Sequence, residues 1–206
     1  MELITSLKNP RVVLWRSLKR TSVRRERGLF LVEGDKSVAE AVGSGFEAEA
    51  VLLDANRPVP ETLPPDLPLV SLPGHVLDAI CDTRTPQGIA AVLRMQPRAV
   101  TGRHLIVLDG LQDPGNVGTI IRTADAAGLD GVLLSADCAD PYGSKTLRAT
   151  MGSIFHLPVE VTGDLPARLR ALQSDGIPVL SAQLDGTPFD RWRSGPEGFA
   201  LVIGSE

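Results

Sequence analysis

The chain has only two cysteines and three histidines in 206 residues, and neither set is arranged for chemistry. Cys81 and Cys138 form no C-x-x-C pair, and His75, His104 and His156 are scattered. Neither a disulfide framework nor a metal site is expected from that spacing. No apolar run approaches the ~18 residues that a membrane span requires. The N-terminus is polar and basic where a secretory signal needs an apolar core. These absences predict a soluble cytoplasmic protein with no membrane partner. Two nucleotide fingerprints are also missing: there is no G-x-G-x-x-G, and no Gly-Lys-Ser/Thr to grip phosphates. An ordinary dinucleotide-dependent oxidoreductase is therefore disfavoured.

What is present suffices for a real core. The chain is 43% hydrophobic, and the usual length prior of ~150 residues per domain gives one or two domains. Net charge is only −4, but it is strongly polarised. Residues 1–30 hold eight Lys or Arg against Glu2 and Glu26, a local +6, which leaves −10 on the remainder. A polyanion such as RNA can dock at the basic end, where Lys8, Arg11, Lys19, Arg24 and Arg25 are candidate contacts. A solvated basic helix is the plainer alternative. Trp15, inside the cluster, has two readings as well, a base-stacking platform or a packing anchor.

Periodicity then predicts two α/β halves. In the first, strands are expected at Leu29–Val32, Ala48–Leu53, Leu69–Leu72 and Ile89–Leu93, with helices at Lys36–Val42 and His75–Cys81. Residues 57–74 are Pro-rich and read mostly as loop. Residues 96–103 look like a linker, so the domains are drawn as 1–97 and 98–206. In the second half, strands are expected at His104–Leu108, Asp130–Leu134, Pro178–Ser181 and Phe199–Ile203, with helices at Gly143–Met151 and Leu165–Gln173.

Between the first two of those strands lies DGLQDPGNVGTIIR, Asp109 to Arg122. The apolar run before it suits a strand buried on both faces. Asp113, Pro114 and Gly115 read as turn residues, and a helix is expected from near Asn116, with Val117, Ile120, Ile121 and Ala124 as its apolar stripe and Gly128 as its stop. A strand-loop-helix-strand unit puts that loop at the carboxyl end of the sheet, where open α/β folds bind ligands. Asn116 has two readings, helix cap or site residue. Arg122 likewise has two, a site residue or a partner of Asp125 at i,i+3.

With DPGNVGTIIR in this context, DPYGSKTLRATMGSIFHLPV downstream and LVIGSE at the end, the chain resembles the SpoU family of RNA ribose 2′-O-methyltransferases, within the SPOUT superfamily. ITSLKNPRV and FLVEGDKSVAEAV extend the resemblance to that family's small α/β substrate-binding domain. The resemblance implies an α/β fold: an RNA-binding domain at 1–97 and a SPOUT-type domain at 98–206, with a parallel sheet and, in a complete chain, a trefoil knot. It implies S-adenosylmethionine as cofactor, RNA as partner, with rRNA favoured over tRNA, and a homodimer. Matched onto the family motifs, Asn116, Arg122 and Glu206 become the catalytic residues. Ser181, Ala182, Ile203, Gly204 and Ser205 become the cofactor contacts. Arg148 is a further candidate for RNA phosphate or, equally, part of a solvated helix face. A structural role is expected for His156, Glu33 and Gly34.

Family proposals give Arg122 the part of base, although a guanidinium with a pKa of about 12.5–13.8 rarely yields its proton. Holding an RNA phosphate bidentately is the alternative. The family's third motif, a Ser and an Asn in a Pro-Met…Ser-Leu-Asn context, should lie beyond Glu206. The expectation from that is a truncated chain, or one whose remaining residues are not represented, that binds cofactor weakly or not at all, while a version extended through the third motif binds it. A non-catalytic RNA-binding derivative of the family is the competing functional reading.

Overall fold

Why these residues make these elements is clearest at the helix starts. In the computed structural model, which describes residues 1–96, 98–183, 185–188, 191 and 198–204, three helices begin with a capping side chain followed by proline. Asn9 accepts from the Arg11 N–H at 2.9 Å ahead of Pro10, Asp113 accepts from the Asn116 N–H at 2.7 Å ahead of Pro114, and Asp164 accepts from the Ala167 N–H at 2.9 Å ahead of Leu165 and Pro166. Proline is tolerated there because its missing N–H would have no helical partner anyway.

The chain divides into two units, Met1–Gln96 with Tyr142–Leu147, and Pro97–Pro141 with Arg148–Glu206. The first runs β1 (Glu2–Leu3), α1 (Pro10–Ser17), α2 (Thr21–Arg27), β2 (Leu29–Glu33), α3 (Asp35–Gly43), β3 (Ala48–Asp54), β4 (Leu69–Leu72), α4 (Gly74–Ile80) and β5 (Ile89–Arg94). Its mixed sheet has the order β1-β4-β3-β5-β2. The core gathers Val12 and Trp15 from α1 and Leu18 just after it, with Val76, Leu77 and Ile80 from α4, over Leu52, Val70, Ala90 and Val92. Trp15 is 1% exposed and has the Arg11 guanidinium 4.9 Å from its ring centroid, so it is a packing anchor and the base-stacking reading is withdrawn. Glu33 accepts from the N–H groups of Asp82 (2.7 Å) and Thr83 (3.2 Å), which pins the loop after α4. Six residues from the second half of the sequence, Tyr142–Leu147, belong to this unit, with the Tyr142 ring 4.7 Å from that of Phe30. Both cysteines are free and buried. Burial, with Glu33 nearby, pushes the Cys81 thiol up to about 12, which leaves no thiolate nucleophile at neutral pH.

From there the chain continues with β6 (His104–Asp109), α5 (Pro114–Ala126), β7 (Gly131–Ser135), α6 (Ser144–Thr150), β8 (Val159–Thr162), α7 (Leu165–Ser174), β9 (Val179–Ser181) and β10 (Phe199–Gly204), all in the second unit except Ser144–Leu147 of α6. All pairings in the order β8-β7-β6-β10-β9 are parallel. Leu105, Val107, Leu133 and Ala200 pack with Leu165 and Leu172 of α7. The alternating residues Ile106, Leu108, Val132 and Leu134 are also buried, so the sheet is covered on both faces, as the unbroken apolar run predicts. Two details differ from the sequence reading. The helix expected from Asn116 starts at Pro114, because Asp113 caps it, and β8 was not foreseen.

Candidate active site

Strand order locates the site. From β6 the chain proceeds to β7 and β8 on one side, while β10 and β9 lie on the other, so the direction of winding reverses between β6 and β10. In open parallel sheets the crevice beyond the strand carboxyl ends at such a reversal is where ligands sit. The register puts Gly204 beside Asp109 and Ser181 beside Val202, which aligns the ends of β6, β9 and β10 along one edge.

The loop after β6 is held by its neighbours. The Gly110 N–H donates to Ser135 Oγ at 2.9 Å, the Ala139 N–H donates to the Leu111 carbonyl at 2.9 Å, and Cys138 Sγ donates to the Leu108 carbonyl at 3.3 Å. Asp113 then seizes the first turn of α5 and fixes Asn116 at its third helical position. The Asn116 cap reading is thereby excluded: Asp113 caps, and the exposed Asn116 side chain is left for other work.

Arg122 is exposed on α5 and makes no hydrogen bond or ion pair among the described residues. Its alternative partner is engaged elsewhere, since Asp125 Oδ2 lies 3.5 Å from Nδ1 of His156. Six residues separate Asn116 from Arg122, which amounts to about 9 Å along the helix and ~120° around it. They flank one helix face and do not converge on a point.

Ser181 and Ala182 are exposed at the end of β9, where the Ala182 N–H donates to the Val202 carbonyl at 3.2 Å. Ile203 is half-buried and Gly204 exposed at the end of β10, and among the described residues a Cβ placed on Gly204 would meet nothing within 4 Å. One apolar side chain, a glycine backbone and an exposed hydroxyl suit an adenosine or methionine moiety, so these residues fit S-adenosylmethionine. Ser205 and Glu206 lie outside the described residues.

The predicted RNA contacts fare unequally. Lys8, Arg25 and Arg148 are exposed. Arg11 is tied to Glu2 at 2.5 Å, and Lys19 donates to the Cys81 carbonyl at 2.7 Å with Asp82 at 3.5 Å. Arg24 is the correction. It is 5% exposed, and its guanidinium donates to the carbonyls of Leu18 (2.6 Å) and Lys19 (3.0 Å) and to Thr21 Oγ1 (2.8 Å), so it staples the α1–α2 turn and offers no free charge. Sequence reasoning also missed Asp113 and Ser135. Asp-Pro ahead of an apolar stripe was the available signal for the first, whereas nothing local marks Ser135.

Residues 103–206 match the SpoU rRNA Methylase family, and residues 9–91 match an MRM3-like substrate binding domain. Across 209 aligned residues the chain is 40% identical to the 23S rRNA (guanosine(2553)-2′-O)-methyltransferase RlmP of Bacillus subtilis (strain 168), covering 100% of this chain and 83% of that protein. The chain belongs to the SpoU rRNA methylase family. As a SpoU methylase it is 31% identical to human mitochondrial rRNA methyltransferase 3, over 69% of this chain and 37% of that one. Its fold superposes on an AdoMet-bound rRNA methyltransferase from Sinorhizobium meliloti with a TM-score of 0.85 at 27% identity, over 98% of this chain and 80% of the other. This SpoU methylase is therefore an RNA methyltransferase, and its family uses S-adenosylmethionine. Among the described residues no helix is long and apolar enough to cross a membrane, and no cluster of potential ligands could hold a metal ion.

Proposed function

We propose that the protein methylates a ribose 2′-hydroxyl of structured ribosomal RNA in the cytoplasm, acting as a homodimer. Residues 1–97 serve as the RNA substrate-binding domain and residues 98–206 as the methyltransferase domain. The observation that carries the reading is Arg122: an arginine exposed on α5 behind a tightly capped first turn, with no partner among the described residues. Such a side chain breaks no contact among the described residues when it turns toward an RNA phosphate.

S-adenosylmethionine, when bound, supplies an electrophilic methyl on a sulfonium. Ser181, Ala182, Ile203, Gly204 and Ser205 would hold it. The task left to the chain is to align the ribose oxygen and ease loss of its proton. Arg122 clamps the adjoining phosphate bidentately and so orients the hydroxyl, a role that needs its charge and its fork. Asn116, fixed by Asp113, and Glu206 complete the catalytic set. Arg148 adds a phosphate contact from α6.

Substitution at Arg122 tests this. Arg122→Ala should lower the transfer rate by about 100-fold through lost alignment, with melting and S-adenosylmethionine binding at wild-type level, because the side chain is exposed and has no partner among the described residues. Arg122→Lys should recover only part, since an ammonium cannot replace a bidentate fork. A wild-type rate in Arg122→Ala would overturn the assignment.

A further inference from the structure

The basic N-terminal segment is not one uniform patch. Among its eight cations, Arg11 is spent on Glu2 and the Trp15 ring, Lys19 on Cys81 and Asp82, Arg24 on the α1–α2 turn, and Arg27 lies 3.6 Å from Glu26. Arg16 and Arg20 are exposed and make no hydrogen bond or ion pair through their side chains among the described residues. Those two, with Lys19, Val13, Ser17 and Ala79, line one groove of about 330 Å³ between the end of α1 and α4.

The fold explains why they meet. Val12 and Trp15, with Leu18 just after the helix, bury one side of α1 against Val76, Leu77 and Ile80 of α4. Helical spacing then turns Val13, Arg16 and Ser17 outward on a common face. Arg20 follows where the Arg24 staple bends the chain into α2. Three cations, one hydroxyl and the 52%-exposed Val13 make a surface that grips negative charge. It presents no aromatic ring on which a splayed base could stack, and in an A-form duplex the major-groove base edges lie too deep for its arginines to read.

We propose that this groove tracks the phosphodiester backbone of the RNA substrate without reading its bases. It deepens the RNA-methyltransferase reading and rests on it. Contacts of this kind set register and affinity and leave sequence choice to other parts of the complex. Arg16 and Arg20 are the principal contacts, because Lys19 is already partly neutralised by Asp82.

The test uses the full chain, with R16Q/R20Q, R170Q and wild type titrated against two unrelated fluorescein-labelled RNA hairpins over a range of salt. Each lost phosphate contact lowers the slope of log affinity against log salt by about 0.7–0.9. Two contacts thus give about 1.4–1.8, and a loss of about 25–60-fold near 0.1 M salt from counterion release alone. R16Q/R20Q should show that loss equally on both hairpins with an unchanged melting curve. R170Q, an exposed arginine on α7, should keep the wild-type slope. A wild-type slope in R16Q/R20Q, a loss confined to one hairpin, or an equal loss in R170Q would overturn the groove. Absence of salt-dependent RNA binding in wild type would instead remove the RNA reading beneath it.

Discussion

Arg24 and Arg25 are adjacent in sequence and opposite in environment, so their alanine variants should fail in opposite ways. Arg24→Ala removes the donor to the Leu18 and Lys19 carbonyls, at 2.6 and 3.0 Å, in a turn with little access to water. An abandoned buried acceptor costs about 1–3 kcal/mol, and the two share one guanidinium, so a total of ~2–4 kcal/mol is reasonable. For a domain of about 100 residues that lowers the melting temperature on the order of 10–20 °C. Arg25 is exposed, so Arg25→Ala should stay within about 0.5 kcal/mol of wild type. It should instead lower the salt slope of RNA binding by about 1 if the side chain meets a phosphate. Scanning calorimetry and fluorescence anisotropy on the same preparations separate the two effects. An Arg24→Ala variant that melts with wild type and loses salt slope would refute the reasoning.

Two further outcomes follow from the second unit. Asp113→Ala should cost about 1 kcal/mol by releasing the first turn of α5, and should slow methyl transfer beyond that folding loss, because Asn116 is no longer held; an unchanged rate at saturating substrates would separate the cap from the site. The N–H groups of His104 and Arg103 hold the Asp130 carboxyl below its usual range. A depressed folded-state value means stability present above the unfolded pKa of ~3.9 and lost as pH falls through the folded one. The melting advantage of wild type over Asp130→Asn should therefore be retained as the pH is lowered from neutral, with the His104 ring 3.3 Å away able only to add to it when protonated, and should shrink only in strong acid. Loss of that advantage on lowering the pH from 8 to 6 would contradict this.

Much of the second unit was legible because a parallel sheet buried on both faces writes itself as apolar runs, as in Leu105–Leu108 and Leu133–Leu134. β8 was not, since Val159–Thr162 is an edge strand with Val161 43% exposed, short and half polar. The start of α5 was misread because Asp-Pro-Gly serves equally as a turn and as a cap followed by a first helical proline. Asn116 and Arg122 were found by motif, but that the i,i+3 neighbour Asp125 is engaged by His156 was not legible, since the two lie 31 residues apart in sequence. Charge counting found the basic segment and could not see that Arg24 faces inward, because burial of a cation is decided by carbonyls from a preceding turn.

The central claim is methyl transfer to a ribose oxygen of ribosomal RNA, and alkali tests it most directly. RNA is cleaved by base through attack of the 2′-oxygen on the neighbouring phosphate, and a methyl on that oxygen blocks the cut. Ribosomal RNA incubated with the protein and methyl-labelled S-adenosylmethionine, then hydrolysed to completion in alkali, should carry its label in resistant dinucleotides. Label found only in mononucleotides would place the methyl on a base and contradict the account.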